Sequence, residues 1–452
     1  MQTNISSLEK FLCALRGGWS TYRVVMLRVA VGALALYATA KLGDEFRRLL
    51  FETGHDGAID LRILHTETNA WFAGRSVYQE FDRAPHPPAS FVILYPALGW
   101  LDFSGARWLW ATVLVAALGW LIGLAIHASN ATTQLERFLV ALILLALNAT
   151  GVTIGNGQQI LFVLPMLLTA LLVLPARTDW RRDLLGAALV MPALVKPSIS
   201  VPFLWLVLFI PGRILPLFFV ICFYLALTLV GVAFQPAGIG VLSEMVSRGS
   251  IFVSNWSYAN LTTWLADLGW IRLSLPGSFV VLGLYGVWIY LHRRADFWTL
   301  VGTSALVARM WIYHLVYDDV LIFLAMLALF RIAKRDPNEN WSTLSGALLA
   351  INICAMLFLA RWQFSPPPLN WLFIWGHTFV WIADLIFLVW SAGKPQTHLS
   401  EGLAFDKLRP FVGGADVVQF AAGQVGTIEG DSHRHMSSVY DARLLGHGKM
   451  VP

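Results

Sequence analysis

Long apolar runs recur along this chain from residue 22 to residue 391, and they dominate what it can fold into. A helix of about 17–25 apolar residues crosses the hydrocarbon of a bilayer, which is about 30 Å thick. Backbone groups find no water there, so a helix is the form that such a run takes. The sequence therefore predicts an all-α integral membrane protein. Its mean hydropathy of +0.64 and its charged fraction of only 13% exclude a soluble globular domain.

About twelve transmembrane helices are predicted from these runs. They lie near residues 22–40, 106–127, 136–152, 158–176, 183–197, 198–212, 214–233, 278–292, 297–313, 317–333, 343–361 and 369–391. Lys and Arg concentrate in short cytoplasmic loops, and the basic clusters of this chain share one side if both termini are cytoplasmic. This orientation requires that the apolar segment 89–102 does not cross and forms a re-entrant or surface-lying helix instead.

The chain is thereby divided into a cytoplasmic N-terminus at 1–21, a membrane domain at 22–391 and a cytoplasmic, disordered tail at 392–452. Two larger outer loops, 42–105 and 234–277, hold most of the polar residues. Three scattered cysteines indicate neither a disulfide framework nor a metal site. His433 and His435 in the tail are interpreted as inert rather than as metal ligands. The net charge of +5 is assigned to contact with membrane lipids, not nucleic acid.

The outer segment 58–78 is predicted to be an amphipathic helix on the membrane surface, with Asp60 at its start. Two interpretations of Asp60 remain open. As an N-cap, its carboxylate would accept hydrogen bonds from the first amides of the helix. As a general base, it would take a proton at the outer mouth of a membrane cavity. Asp56 and Asp82 are weaker candidates for the base.

Four motifs follow one another in the chain. Asp60 is followed by Gly74 after fourteen residues, by Tyr78 after four more and then by a Pro-Pro-hydrophobic stretch. The other three are GNGQQILFVLP at 155–165, ALVKPSISVPFLWL at 193–206 and ARMWIYHLVYDDVLIFLAML at 308–327. In order and spacing they resemble glycosyltransferase family 87, which comprises enzymes such as the polyprenol-phosphate-mannose-dependent mannosyltransferases. The resemblance covers roughly residues 20–390.

The resemblance implies a GT-C type multi-helix bundle with its active site at the extracytoplasmic surface of a bacterial plasma membrane. Such an enzyme moves a hexose, here expected to be mannose, from a polyprenyl-phosphate-sugar donor to a glycolipid or glycan acceptor, with inversion and without a cofactor. By the same match, Asp60 is the base. The leaving lipid phosphate gains negative charge, so cations are expected to surround it.

Lys196, Arg309 and His314 are the candidates for binding the donor phosphate. Each has a structural alternative: Lys196 as an anchor at a helix end, Arg309 as the partner of Asp318 or Asp319, and His314 as an isolated hydrogen-bonding group. Asp318 and Asp319 are assigned to holding Arg309 and His314, with a metal site as the alternative.

Sugar or acceptor contacts are assigned to Asn156, Gln158 and Tyr78. The two amides have an alternative role in satisfying backbone groups of a tight turn, together with Gln159. The aromatic residues Trp256, Tyr258 and Trp264 are expected either to stack on sugars or to form an interfacial belt.

A secondary transporter or a flippase is the rival functional class. It would require ionisable residues at mid-span or a hydrophilic cavity through the bundle.

Overall fold

A computed structural model of the chain describes residues 2–81, 86–176, 179–249, 257–335, 339–358, 362–363 and 365–394. Asp82, Trp256 and the predicted tail beyond Lys394, with His433 and His435, lie outside them. Within the described residues the regular structure is entirely helical. The prediction of an all-α protein is therefore confirmed for the part of the chain that the structure describes.

The α-helices follow one another in chain order without strands between them in the described residues. They are α1 Gln2–Phe51, α2 Ile59–Phe72, α3 Val77–Glu80, α4 Pro88–Leu98, α5 Phe103–Ala128, α6 Gln134–Ala146, α7 Asn148–Asn156, α8 Ile160–Val173, α9 Trp180–Ala193, α10 Pro197–Ser200, α11 Leu204–Phe209, α12 Leu215–Ala233, α13 Val241–Gly249, α14 Leu261–Asp267, α15 Ser274–Leu291, α16 Phe297–Met310, α17 Ile322–Arg335, α18 Glu339–Phe358 and α19 Leu369–Ala392. A 3₁₀ turn, Val316–Leu321, precedes α17.

Six helical segments are long and apolar enough to cross a membrane, and a bent pair of helices brings the number to seven. The six are Thr21–Phe51, Phe103–Ala128, Leu215–Ala233, Ile271–Leu291, Asn340–Leu357 and Leu369–Ala392. These are the helices of a multi-pass membrane protein. The predicted runs near 158–176 and 198–212 are instead occupied by shorter apolar helices, Ile160–Val173 and Pro197–Phe209.

The first helix extends well past the apolar run that predicts it. The candidate span Thr21–Phe51 has 31 residues, or about 46 Å at 1.5 Å per residue. The outer loop therefore begins after Phe51 and not at residue 42. Charged side chains spaced three and four residues apart stabilise this extension, because Glu45 pairs with Lys41 at 2.7 Å and with Arg48 at 2.8 Å.

The bent pair consists of α6 and α7, which meet at an angle of 51°. Leu147 separates them with an extended ψ of 131°, although the sequence has no proline there. The break frees carbonyl groups near the end of α6, and the Thr150 hydroxyl donates to the Leu144 carbonyl at 2.7 Å. As a result, α7 leaves the line of the span and carries its C-terminal end toward α2.

Helices α2, α3 and α4 pack on the end of α12. Trp71 and Tyr78 share a buried cluster with Phe91, Val232 and Val241. The Trp71 indole donates to the Gly231 carbonyl at 2.9 Å. Helix α4, with eleven residues, measures about 17 Å and is too short to cross the hydrocarbon. The packing fixes α2, and with it Asp60, against the bundle.

Candidate functional site

Asp60 lies in the first turn of α2, but it does not cap that helix. The helix begins at Ile59 and its N-cap is Ala58, at φ 49°, with no side-chain hydrogen bond to the first amides. The N-cap interpretation of Asp60 is therefore wrong. Its carboxylate instead accepts a hydrogen bond from Asn156 Nδ2 at 2.8 Å. Asp60 thus remains available at the start of the helix, where the dipole still favours a negative charge.

Two glycines let α7 approach α1 and α2 closely enough for this contact. Gly157 ends α7 at φ +74°, and a Cβ there would lie 2.5 Å from Leu61 Cβ in α2. A Cβ on Gly155 would lie 2.0 Å from the Glu45 carboxylate in α1. Only glycine fits both demands of position 157, the positive φ and the missing volume. The GNG sequence of the motif at 155–165 is thereby explained by packing around Asp60.

Arg48 of α1 orients the side chain of Asn156. Arg48 Nη2 donates to Asn156 Oδ1 at 2.8 Å, and the amide of Asn156 donates to Asp60. Both ends of this side chain are occupied, so the structure has Asn156 orienting Asp60. Glu45 and Arg48 were missed in the sequence. The signal that would have found them is the spacing of Lys41, Glu45 and Arg48 along one helix face.

The half-buried position of Asp60 changes its acidity. Burial raises the pKa of the Asp60 carboxyl above its usual value. Hydrogen bonding from Gln158 and Asn156 and the positive charge of Lys196 act in the opposite direction. Asn156 and Gln158 belong to the motif at 155–165, and Lys196 belongs to the motif at 193–206. Two of the other three motifs therefore supply groups that act on the carboxylate of Asp60. A carboxylate with a raised pKa is suited to accept a proton near neutral pH.

Lys196 lies at the start of α10 and faces the turn that precedes α17. Its ammonium group donates to Asp318 Oδ1 at 2.6 Å and lies 4.6 Å from the centroid of the Tyr317 ring. The other carboxylate oxygen of Asp318 contacts His314 Nδ1 at 2.9 Å. Lys196 keeps a side-chain exposure of 16%, and an ammonium group has three donors. This lysine is therefore a fixed cation that still has donors for a ligand.

Arg309 and His314 are both fully buried at this site. Arg309 Nε donates to Asp319 Oδ1 at 2.5 Å, and its guanidinium lies 4.7 Å from the Tyr258 ring centroid. The Tyr258 hydroxyl donates to the second oxygen of Asp319. Within the described residues, Arg309 Nη2 and His314 Nε2 have no hydrogen-bond partner but are sealed from solvent, so a phosphate would reach them only if the surrounding packing opened. The arrangement matches the alternative in which Asp318 and Asp319 hold the two cations, rather than a metal site.

The remaining predicted contacts are distributed differently. Gln158 is buried beside Asp60, whereas Tyr78 lies in the hydrophobic cluster on α12, where its hydroxyl donates to the His86 carbonyl at 2.5 Å. Tyr258 is buried against α19 and Trp264 is half-buried. Asp56 is exposed on the turn before α2. The structure thus brings Asp60, Asn156, Gln158 and Lys196 together and leaves Tyr78 outside the group.

A second polar group on the same face of α2 was missed from the sequence. Glu67 follows Asp60 by two helical turns and is fully buried, with neither carboxylate oxygen hydrogen-bonded. His86 Nδ1 lies 3.7 Å from it, and the other ring nitrogen of His86 lies 3.5 Å from Gln159 Nε2. Buried polar atoms without partners are uncommon in folded proteins. The polar lining of the site therefore continues from Asp60 toward Glu67.

The assembled groups form an asymmetric site. They comprise a carboxylate of raised pKa and a lysine that is held by Asp318 and whose charge acts on that carboxylate. Comparison with known protein families, with curated proteins and with solved structures finds no match for this chain. What the site does is therefore inferred from the residues themselves.

Proposed function

We propose that this protein is an inverting glycosyltransferase of the bacterial plasma membrane. It moves a hexose, mannose by the sequence resemblance, from a polyprenyl-phosphate-sugar donor to a glycolipid or glycan acceptor on the extracytoplasmic face. In this proposal the bundle is of the GT-C type and the shorter apolar helices complete about twelve crossings, with both termini in the cytoplasm. The proposal rests on one observation above others: Asp60 is hydrogen-bonded by neutral amides within the electrostatic influence of Lys196, and it caps no helix.

In the proposed reaction, a hydroxyl of the acceptor attacks the anomeric carbon of the donor sugar. A new C–O bond forms as the bond from that carbon to the phosphate oxygen breaks, and the hydroxyl proton passes to Asp60. Burial raises the pKa of this carboxyl, which makes it a stronger base than an exposed aspartate. Asn156 and Gln158 orient the carboxylate oxygens of Asp60. Gln158 is the amide that can also hydrogen-bond a sugar hydroxyl.

The leaving group is a polyprenyl phosphate, whose charge grows as the glycosidic bond breaks. Lys196 is the cation that meets it, because its ammonium group is partly exposed and fixed by Asp318. Fixed charges at the position of the developing anion lower the barrier more than mobile ones. Arg309 and His314 act one step further away in this scheme, by holding Asp319 and Asp318 in place.

The test compares sugar transfer by the purified wild type with transfer by Asp60→Asn. The donor is radiolabelled polyprenyl-phosphate-mannose, followed by the glucose and arabinose analogues, and the acceptor is a membrane glycolipid extract. Loss of a general base lowers the rate about 100- to 10,000-fold. We expect that loss for Asp60→Asn with an unchanged unfolding temperature. Asp56→Asn is the matched control, because this exposed carboxylate lies four residues earlier in the same loop and should leave transfer unchanged.

Equal transfer by the wild type and Asp60→Asn would disprove the role of Asp60. No transfer from any of the three donors would remove the glycosyltransferase proposal itself. A parallel loss in Asp56→Asn would show that the whole loop, and not one carboxylate, is sensitive to substitution.

A secondary transporter or flippase is the second candidate, and a buried pair in the span α19 favours it. Asp384 is fully buried there and accepts a hydrogen bond from Asn352 Nδ2 of α18 at 2.8 Å. Ionisable residues inside spans commonly mark the path of an ion or substrate. The transporter candidate predicts that Asp384→Asn stops movement of the lipid-linked sugar across vesicle membranes. The transferase predicts that Asp384→Asn retains transfer while Asp60→Asn loses it.

A further inference from the structure

A cavity of about 380 Å³ lies on the opposite side of α2 from Asp60. It is lined by Thr53, Arg62, His65, Thr66, Phe103 and Arg107. Two of these residues carry permanent positive charges. Their guanidinium carbons lie 5.2 Å and 5.6 Å from the centroid of the Phe103 ring, so both cations contact the same ring.

The charges of Arg62 and Arg107 are not neutralised within the described part of the chain. Neither residue forms an ion pair there, and both donate to backbone carbonyls only. The nearest carboxylate is that of Glu52, whose charge attracts Arg107 without a direct ion pair; this carboxylate also pairs with Arg47 at 3.7 Å and accepts from the Gly54 amide at 3.1 Å. Two cations next to one cavity repel each other unless an anion enters. The repulsion between Arg62 and Arg107 is only partly offset by the charge of Glu52, and an anion in the cavity would offset it further.

Each guanidinium also keeps donors that the protein does not use. Arg107 employs Nε and Nη2 to hold the carbonyls of Leu49, Arg48 and Glu52 at the end of α1. Arg62 employs Nη2 for the carbonyls of Gly54 and Gly57. Within the described residues, the Nη1 group of each makes no hydrogen bond and is not sealed from solvent. Two free N–H forks facing one cavity match the oxygens of a phosphate group.

The rim of the cavity shows where such a phosphate would come from. Phe51 and Trp108 are exposed beside it, and their rings pack edge to face with centroids 5.8 Å apart. Trp100 is also exposed at the start of the same segment. Exposed aromatic residues at the ends of membrane helices mark the level of the lipid headgroups. A phosphate at this level belongs to a lipid more readily than to a soluble ester.

We propose that this cavity binds a phosphate group between Arg62 and Arg107, and that an anionic phospholipid headgroup supplies it. The site is separate from that of Asp60. Two residues along a helix correspond to about 200°, so Arg62 faces α5 while Asp60 faces α7. The proposal is independent of the glycosyltransferase assignment, since it needs only the cavity and its charges. A bound headgroup would fix the junction of α1, α2 and α5.

Photo-crosslinking of lipids to the purified full-length protein tests this proposal. The probes are photoactivatable phosphatidylglycerol and phosphatidylcholine in nanodiscs, and peptide mass spectrometry measures labelling of residues 49–66 and 99–108. A hydrogen bond between charged groups contributes enough binding energy that its loss lowers affinity about tenfold. We expect Arg62→Gln to lower labelling by phosphatidylglycerol by about that factor. Arg137→Gln, at an exposed arginine of α6 that does not line the cavity, is the control and should label as the wild type does.

Three outcomes would overturn the proposal: equal labelling of wild type and Arg62→Gln, equal labelling by the two lipids, or labelling abolished by excess inorganic phosphate. The last would assign the cavity to a soluble phosphate instead of a lipid. The comparison of lipids on the wild type keeps the test decisive even if Arg62→Gln folds poorly. The choline ammonium should be repelled by the two guanidinium groups, so weaker labelling by phosphatidylcholine is expected.

Discussion

The carboxylates of the candidate functional site are held in two different ways. At the junction of α2 and α7, Asp60 accepts a hydrogen bond from the neutral Asn156 and has Lys196 only as a nearby charge. In the turn before α17, Asp318 and Asp319 are each joined directly to a cation, at 2.6 Å and 2.5 Å. One junction keeps a reactive group available, and the other immobilises the groups around it.

This difference follows from what burial does to charge. A buried carboxylate with a direct cationic partner is expensive to separate from it, so it holds helices in register. A half-buried carboxylate held by amides keeps its orientation while remaining free to bind a proton. Asp318 has a pKa well below its usual range, because Lys196 and His314 outweigh its burial, whereas at Asp319 burial outweighs Arg309 and raises the pKa to about 6. Burial also raises the pKa of Asp60, which has no direct cationic partner in the described residues.

Removing one member of the buried pair should give the largest effect on stability. In Asp319→Asn the guanidinium of Arg309, which is fully buried, loses its charged partner. Breaking a buried pair from one side costs about 3–5 kcal/mol. We expect that loss in the free energy of unfolding, measured by titrating the protein in mixed micelles with a denaturing detergent. Asp60→Asn should change it by a small fraction of this.

The surface pair of Asp44 and Arg47 supplies the control for Asp319→Asn. Both side chains are largely exposed, at 65% and 59%, although their distance of 3.0 Å is that of an ordinary ion pair. Asp44→Asn should leave unfolding unchanged, because solvent screens such pairs. A loss in Asp60→Asn as large as that in Asp319→Asn would contradict the distinction between the two junctions.

The close contact of α7 with α2 predicts an intermediate effect. Gly157→Ala adds a Cβ that would lie 2.5 Å from Leu61 Cβ, at a backbone φ of +74°. Gly212→Ala is the matched control, since its φ is +67° and nothing lies within 4 Å of the added atom. Both variants incur the cost of a positive φ, and Gly157→Ala adds an overpacking cost of about 1–3 kcal/mol. The same denaturation assay measures the difference, and equal losses would show that the approach of α2 is loose.

The sequence predicts an all-α protein and the positions of several helices, because these depend on apolar residues that lie close together in the chain. The apolar runs become helices, and the segment 89–102, which was predicted not to cross, contains a helix of only eleven residues. The extension of α1 to Phe51 was missed, since it depends on Glu45 and Arg48 packing against α7. The bend at Leu147 was missed as well. It has no proline, which is the residue that marks most such bends in a sequence.

The candidate site shows the same division between local and distant information. The motifs identify Asp60, Asn156, Gln158 and Lys196, and the structure places these four around one point. The motifs leave open whether Arg309 binds phosphate or an aspartate, and only the fold shows Asp319 and Tyr258 beside it. Glu67 and His86 are nineteen residues apart in the chain, so no spacing rule connects them. The sequence pattern therefore predicts which residues belong to the candidate site, but not which single side chains pair across long distances in the chain.

The smallest effect concerns the pH dependence of Asp60, and it tests the first junction directly. A base works only when deprotonated, so a raised pKa means that transfer is lost as pH falls, beginning at a higher pH than for an ordinary aspartate at about 3.9. We expect the acidic limb of kcat/KM to show this. Asn156→Leu removes a donor that favours the ionised form, so it should move the limb upward again, by about one pH unit. An acidic limb that stays in place or moves downward in Asn156→Leu would mean that the amide does not stabilise the charge of Asp60, and the contrast with Asp318 would then rest on burial alone.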